Sequence, residues 1–208
     1  MKTIIGTKAD VAKELTAQVA AVLASKPEAN IAISAVDLPA EVLDAPAASD
    51  IAFDRETLFQ ACESCRAAGQ GAYAVGTALS PLTDAKPFAA VHAPAPDADA
   101  EHAADYDAAI QAAGGLALVI PGLGERGPVA FNEPGAGFGE KTRIAKLAEV
   151  TREAIAADFG TLEQTPEHGI TIGLHTILGA KKILPVGFGA RRAQADNAPP
   201  TGRTATVN

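Results

Sequence analysis

An α/β sandwich of three layers around a mostly parallel central sheet is the fold class this sequence predicts. Three observations predict it. Short apolar runs such as "IAIS" and "LALVI" alternate with longer stretches of helical periodicity, the pattern of a parallel sheet covered by helices. The run "LALVI" is apolar without alternation, as in a strand buried on both faces. The chain has 208 residues, 48% of them hydrophobic, which suits one domain with a sizeable core.

The elements follow in order. "TIIG" reads as a short strand. Residues 8–25 carry Val11, Leu15, Val19, Val22 and Leu23 at helical spacing. "IAIS" (31–34) and "DIAF" (50–53) read as the next two strands. "ETLFQACESCRAAG" reads as a helix stopped by Gly69, which puts Cys62 and Cys65 on neighbouring turns. "PFAAVHA" suggests an edge strand. "DADAEHAADYDAAIQAAGG" reads as a helix with acid in its first turn and Gly114–Gly115 at its end. "LALVI" (116–120) is the central strand. "AKLAEVTREAIAADFG" reads as a helix closing on Gly160. A short helix around Leu174–Leu178 and a strand at 183–188 complete a domain spanning 1–193. From Gln194 the polar, proline-containing sequence to residue 208 reads as a disordered tail.

Charge and composition exclude some roles. The formal net charge is −8, which argues against a nucleic-acid partner, since that needs a basic face. An anionic small molecule is still compatible, because a basic pocket can sit on an acidic surface. No apolar run reaches the roughly 18 residues of a membrane span, and the start lacks a signal-peptide pattern, so a cytoplasmic protein is expected. The two cysteines form C-x-x-C without a second ligand pair, so no metal site is expected.

The stretch "PGLGERGPVAFNEPG" raises a sharper question. Gly122, Gly124 and Gly127 spell G-x-G-x-x-G after a strand, a dinucleotide-binding fingerprint when it opens a helix. Here Pro134 and the glycines at 135, 137 and 139 leave no room for a helix of normal length, so no nucleotide cofactor is expected. A glycine turn that lets a ligand approach the backbone is the alternative. It presents Glu125, Arg126, Asn132 and Glu133, with Lys141 and Arg143 just beyond. A carboxylate near cations suits a phosphorylated or carboxylated small molecule.

The segments "GLGERGPVAFNEPG", "TRIAKL", "TREAIAADFG" and "TPEHGITIGLHTILGAKKILPVGFGARRA" together resemble the glucosamine-6-phosphate deaminase/isomerase family, from about Tyr106 to Ala193. The resemblance implies a Rossmann-like sandwich of the sugar-phosphate isomerase type. It also implies a reaction on a hexosamine 6-phosphate, with ring opening, proton movement between C2 and C1, and release of ammonia. By that resemblance Glu133 matches the glutamate of the Phe-Asn-Glu-Pro segment, and Arg143 the phosphate-contacting arginine of Thr-Arg-Ile. Arg192 stands for the lysine of the closing Gly-x-x-Lys-Ala. Gly122, Gly124 and Gly127 match the active-site turn, with Asn132 beside it. The family's Asp-Glu pair after Phe-Asn falls on Glu56 and Thr57.

The sequence also departs from the family. Arg126 stands for the turn's aspartate and Pro128 for its histidine. Val36 and Asp37 stand in the Gly-rich phosphate loop, Ala157 stands for a substrate arginine, and the family's C-terminal segment is largely absent. His168 and His175 read as packing or hydrogen-bonding residues rather than replacement acids. The expectation is a divergent member that acts on or binds a phosphorylated amino sugar, with Glu133 and Glu56 moving protons and Arg143 and Arg192 holding the anion. A non-catalytic sugar-phosphate sensor or partner subunit is the alternative, and a 6-phosphogluconolactonase-like hydrolase the third. No cofactor is implied. The partner is a small-molecule sugar phosphate, with no nucleic acid and no membrane, and a homo-oligomer is a possible state.

Overall fold

The computed structural model of the chain describes residues 6–65, 75–124 and 127–188. The strand expected at "TIIG", the stop at Gly69 and the tail from Gln194 lie wholly or largely outside these residues.

Helix α1 (Lys8–Ser25) coincides with the periodic stretch. Thr7 caps it reciprocally with Asp10, and Leu15, Val19, Val22 and Leu23 form its buried stripe. Strand β1 (Asn30–Ser34) follows, then helix α2 (Ala40–Ala48), strand β2 (Thr57–Gln60) and strand β3 (Cys62–Ser64). Helix α3 (Ser80–Ala85), edge strand β4 (Ala90–His92), helix α4 (Ala100–Ala112) and strand β5 (Leu118–Pro121) complete the first two thirds. Strand β6 (Arg143–Lys146), helix α5 (Glu149–Ile155), strand β7 (His168–Thr171), helix α6 (Leu174–Leu178) and strand β8 (Lys182–Ile183) follow.

Five strands form one sheet in the order β4-β2-β1-β5-β8, and every pairing is parallel. Side chains alternate across it. Ile31, Ile33, Leu58, Leu118 and Ile120 pack with α1, α2 and Leu82 of α3. Ala32, Phe59 and Val119 face the other way, onto Ile110 of α4 and Ile177 of α6. The three-layer, parallel-sheet expectation is therefore met. The chain runs outward from β1 to β2 and β4 on one side, and to β5 and β8 on the other. The strand order thus reverses between β1 and β5, and ligands of open parallel sheets bind beyond the carboxyl ends of strands at such a point.

A second, antiparallel sheet of three strands, β3-β7-β6, stands at that end. Ala61 joins the two sheets. Its N–H donates to Ile33 O at 2.9 Å in the first, and its carbonyl accepts from the Ile172 N–H at 2.8 Å beside the second.

Some expectations are corrected. Residues 57–64 are strands and not a helix. Leu58, Cys62 and Cys65 share helical spacing, but β2 is buried between β1 and β4, where a strand loses its alternation. "DIAF" is not a strand; its Phe53 is a plug packed on Phe88 with ring centroids 5.0 Å apart. The helix expected from Ala145 begins only at Glu149, because Arg143–Lys146 pair with β7. The last strand is short, Lys182–Ile183, and is extended by a single parallel bridge between Gly122 and Val186.

The strand geometry also settles what the cysteine pair can do. Cys62 is fully buried on β3, and Cys65 continues the ladder through its N–H to His168 O. Three residues of extended chain span about 10 Å, beyond the roughly 7 Å that a disulfide can bridge. Mild oxidation of the folded protein is expected to leave both thiols titratable after unfolding. Recovery of a Cys62–Cys65 linked peptide by mass spectrometry would refute this.

Candidate functional site

Two close-fitting turns stand at the carboxyl ends of β1 and β5. After β1, residues 35–38 form a tight turn closed by the Leu38 N–H on Ala35 O at 3.2 Å. Asp37 takes φ 63° at its third position, where glycine or asparagine is usual. After β5, the chain presses against this turn. A Cβ on Gly122 would lie 2.0 Å from Val36 O, and one on Gly124 would lie 3.1 Å from the Asp37 carboxylate. Gly122 thus serves the close approach of two backbones, and Gly124 makes room for the Pro128 ring and the Asp37 carboxylate.

The turn itself is closed upon itself. The N–H of Gly124 donates to Pro128 O and that of Gly127 to Gly124 O, both at 3.0 Å, while the Leu123 N–H reaches Val186 O at 2.8 Å. Gly127 sits at φ 85°, which permits the reversal. These three amides are therefore spent within the protein and not offered to a ligand, contrary to the expectation that glycine would expose them. Pro128, at the family's histidine position, is buried; its ring lies where a Cβ on Gly124 would stand. Arg126 lies outside the described residues.

The segment that follows makes a two-residue reversal. Val129 and Asn132 exchange backbone hydrogen bonds at 3.3 and 3.0 Å, with Ala130 at φ 54° between them. The reversal delivers Phe131 into the core and Asn132 to the second sheet. Phe131 is fully buried, and its ring fills the space where Gly169 lacks a side chain. Asn132 is saturated. Its Nδ2 donates to Val129 O at 3.0 Å and to Ile172 O at 2.8 Å, and its Oδ1 accepts from the Arg143 guanidinium at 2.8 Å. Asn132 is thus a clamp that fixes Arg143 rather than a free ligand contact.

Arg143 opens β6 in register with Thr171 of β7, which in turn is in register with Cys62 of β3. An ion pair also holds its guanidinium to Glu140 at 2.7 Å; the Arg143 side chain is 28% exposed. Arg143 is consequently oriented on one side and open to solvent on another. Glu133, next along the chain from Asn132, accepts the Ala148 N–H on Oε1 at 3.0 Å. Its Oε2 is buried and has no hydrogen-bond partner among the described residues. Leaving such an oxygen unpaired costs about 1–3 kcal/mol or more.

Glu56 is not brought together with these residues. It is buried just before β2, at the amino end of the strand, with its carbonyl taken by the Ala89 N–H. The four residues of β2 separate it from the carboxyl end by about 13 Å. The residues that do reach that end are Cys62 and Glu63, three and four positions after Phe59, just as Glu56 and Thr57 follow Phe53. The signal in the sequence was "FQACE", six residues further on than "FDRET". Cys62 is no nucleophile at neutral pH. Burial, with the nearby Glu63 and Asp37 carboxylates, pushes its thiol up to about 12, against the hydrogen bond with Ser34. Glu63 is buried and accepts from Gln60 Nε2 at 2.8 Å and from the Ser64 N–H at 2.8 Å. Arg192 lies outside the described residues. His168 and His175 are both exposed, on β7 and α6, and pack no core. Among the described residues no group of three His, Cys, Asp or Glu side chains could hold a metal ion, and no helix is long and apolar enough to cross a membrane.

Comparison with known proteins bears on what this arrangement is. No family model matches the chain. A glucosamine-6-phosphate deaminase of Exiguobacterium sp. is 44% identical over 117 residues, 55% of this chain and 45% of that protein. Over that stretch the chain is a homologue of glucosamine-6-phosphate deaminases. It spans under half the length of this curated relative. Among solved structures, a monomeric glucosamine-6-phosphate deaminase of the NagB superfamily superposes with a TM-score of 0.83 at 22% identity, covering 95% of this chain and 86% of the other. A 6-phosphogluconolactonase from Trypanosoma brucei superposes with a TM-score of 0.72 at 13% identity, over 94% and 84%. The deaminase homology and these superpositions agree with the sandwich described above.

Proposed function

We propose that the chain binds a phosphorylated amino sugar at the carboxyl ends of β1 and β5 and acts on it as a sugar-phosphate isomerase or deaminase. Two side chains carry the reading, Glu133 and Arg143, the first next in the chain to the Asn132 that holds the second. One is a carboxylate with a buried, unpartnered oxygen; the other is a guanidinium held by Asn132 and Glu140 with part of its surface open. A phosphate oxygen suits the open edge of Arg143, and Glu133 supplies a carboxylate able to take a proton once the atoms covering its Oε2 move aside. The deaminase homology supplies the substrate class. A charged sugar phosphate of this kind fits a cytoplasmic protein without nucleic-acid or membrane partners, and either a monomer or a homo-oligomer.

A second reading, a sensor that binds without turnover, is favoured by Pro128. Its ring nitrogen carries no proton, so a step that needs an acid at that place has no donor there. Two measurements on one sample separate the readings. Calorimetry with glucosamine 6-phosphate reports binding, and release of ammonia with formation of a ketose phosphate reports turnover. Binding with turnover supports the enzyme, binding alone supports the sensor, and neither removes both. Where binding is seen, Arg143→Ala is expected to weaken it by about 1.5–3 kcal/mol, the range for hydrogen bonds to charged groups. An unchanged affinity would remove Arg143 from the anion site.

A further inference from the structure

Helix α4 carries a carboxylate in the middle of its buried stripe. Asp107 lies between Ala103 and Ile110, all three buried. An ionisable group there is expensive unless it is hydrogen-bonded, and packing alone would be served by an apolar residue. Asp107 Oδ1 collects three donors: the Thr142 hydroxyl at 2.9 Å, the Thr142 N–H at 3.3 Å and the Thr176 hydroxyl at 2.6 Å. The Thr176 bond, at 2.6 Å, is the shortest of the three.

What these donors belong to gives the arrangement its meaning. Thr142 immediately precedes Arg143. Thr176 lies on α6, whose start is pressed onto the same segment. A Cβ on Gly173 would stand 2.0 Å from Glu140 O, and the His175 N–H donates to that carbonyl at 3.0 Å. Residues 140–143 are therefore held between α4 and α6, and Asp107 of α4 bonds both the segment, at Thr142, and α6, at Thr176. The segment's outward product is the Arg143 guanidinium, braced by Glu140 from within the same four residues.

We infer that Asp107 is a positioning residue for Arg143, acting through Thr142 and never touching the ligand. The inference rests on the sugar-phosphate reading above. It is tested on the full chain by a double-mutant cycle, with glucosamine 6-phosphate as the probe and dissociation constants followed into the millimolar range by phosphorus NMR. Asp107→Ala is expected to weaken binding about tenfold in the otherwise native protein and less than twofold in an Arg143→Ala background. Asp107→Asn, which keeps an acceptor oxygen, is expected to stay within about threefold of the native affinity. Thr142→Val, which removes one donor, is expected to follow Asp107→Ala and carries the test if that variant does not fold. An equal loss in both backgrounds would make Asp107 a general fold determinant and overturn the inference. Native affinity in Asp107→Ala would do the same while leaving the sugar-phosphate reading standing. Absence of binding by the native protein would remove both.

Discussion

Replacing Gly122 by alanine is expected to lower the thermal midpoint by roughly 6–12 °C, corresponding to about 3 kcal/mol in a domain of this size. The reason is contact and not backbone conformation. The added Cβ would stand 2.0 Å from Val36 O, a backbone atom that can retreat only if the β1 turn leaves β5. Gly122 also bridges Val186, so it is fixed from both sides. Gly114 is the control. It has φ 91° and nothing within 4 Å of an added Cβ, so alanine there meets strain alone, about 1–2 kcal/mol. Thermal unfolding of both variants checks the order. A Gly122→Ala midpoint at or above that of Gly114→Ala would mean that the two turns are not in the contact described.

Glu133→Gln is expected to reduce turnover of an amino-sugar phosphate by about 10²–10⁴-fold, the usual contribution of a positioned acid or base. The substitution is nearly isosteric, and the amide oxygen can still accept the Ala148 N–H, so the fold should persist. What changes is the second position, where a proton acceptor becomes a donor. Binding of the sugar phosphate, resting on Arg143, should change far less than the rate. Equal rates for native protein and Glu133→Gln would exclude Glu133 from proton transfer, whatever the substrate.

Much of the fold was legible because its helices are amphipathic and end in recognisable ways. Residues 8–25 match α1, and Leu174–Leu178 matches α6. The reading failed around β2 and β3. There the strand is covered on both faces, and chance spacing of Leu58, Cys62 and Cys65 imitates a helix. Two segments that begin with Phe, at Phe53 and at Phe59, compete for the place of an acidic pair, and the second, ending in Glu63, is the one at the carboxyl end of β2. Glu133, Asn132 and Arg143 were legible as candidates from their spelling. The roles of Asn132 as a clamp and of Asp107 as a support were not, because both depend on partners 40 and 35 residues away in the chain.

Ala61 lends its two backbone groups to different sheets, and this bears on how a ligand gains entry. Sliding or tilting the second sheet away from the first would break a hydrogen bond on one side of a single residue or the other. Parting the sheets at this residue therefore costs a backbone hydrogen bond, about 0.5–1.5 kcal/mol. Side chains at the ends of β1 and β5 can move without that cost, so they are the parts that make way for a ligand most cheaply.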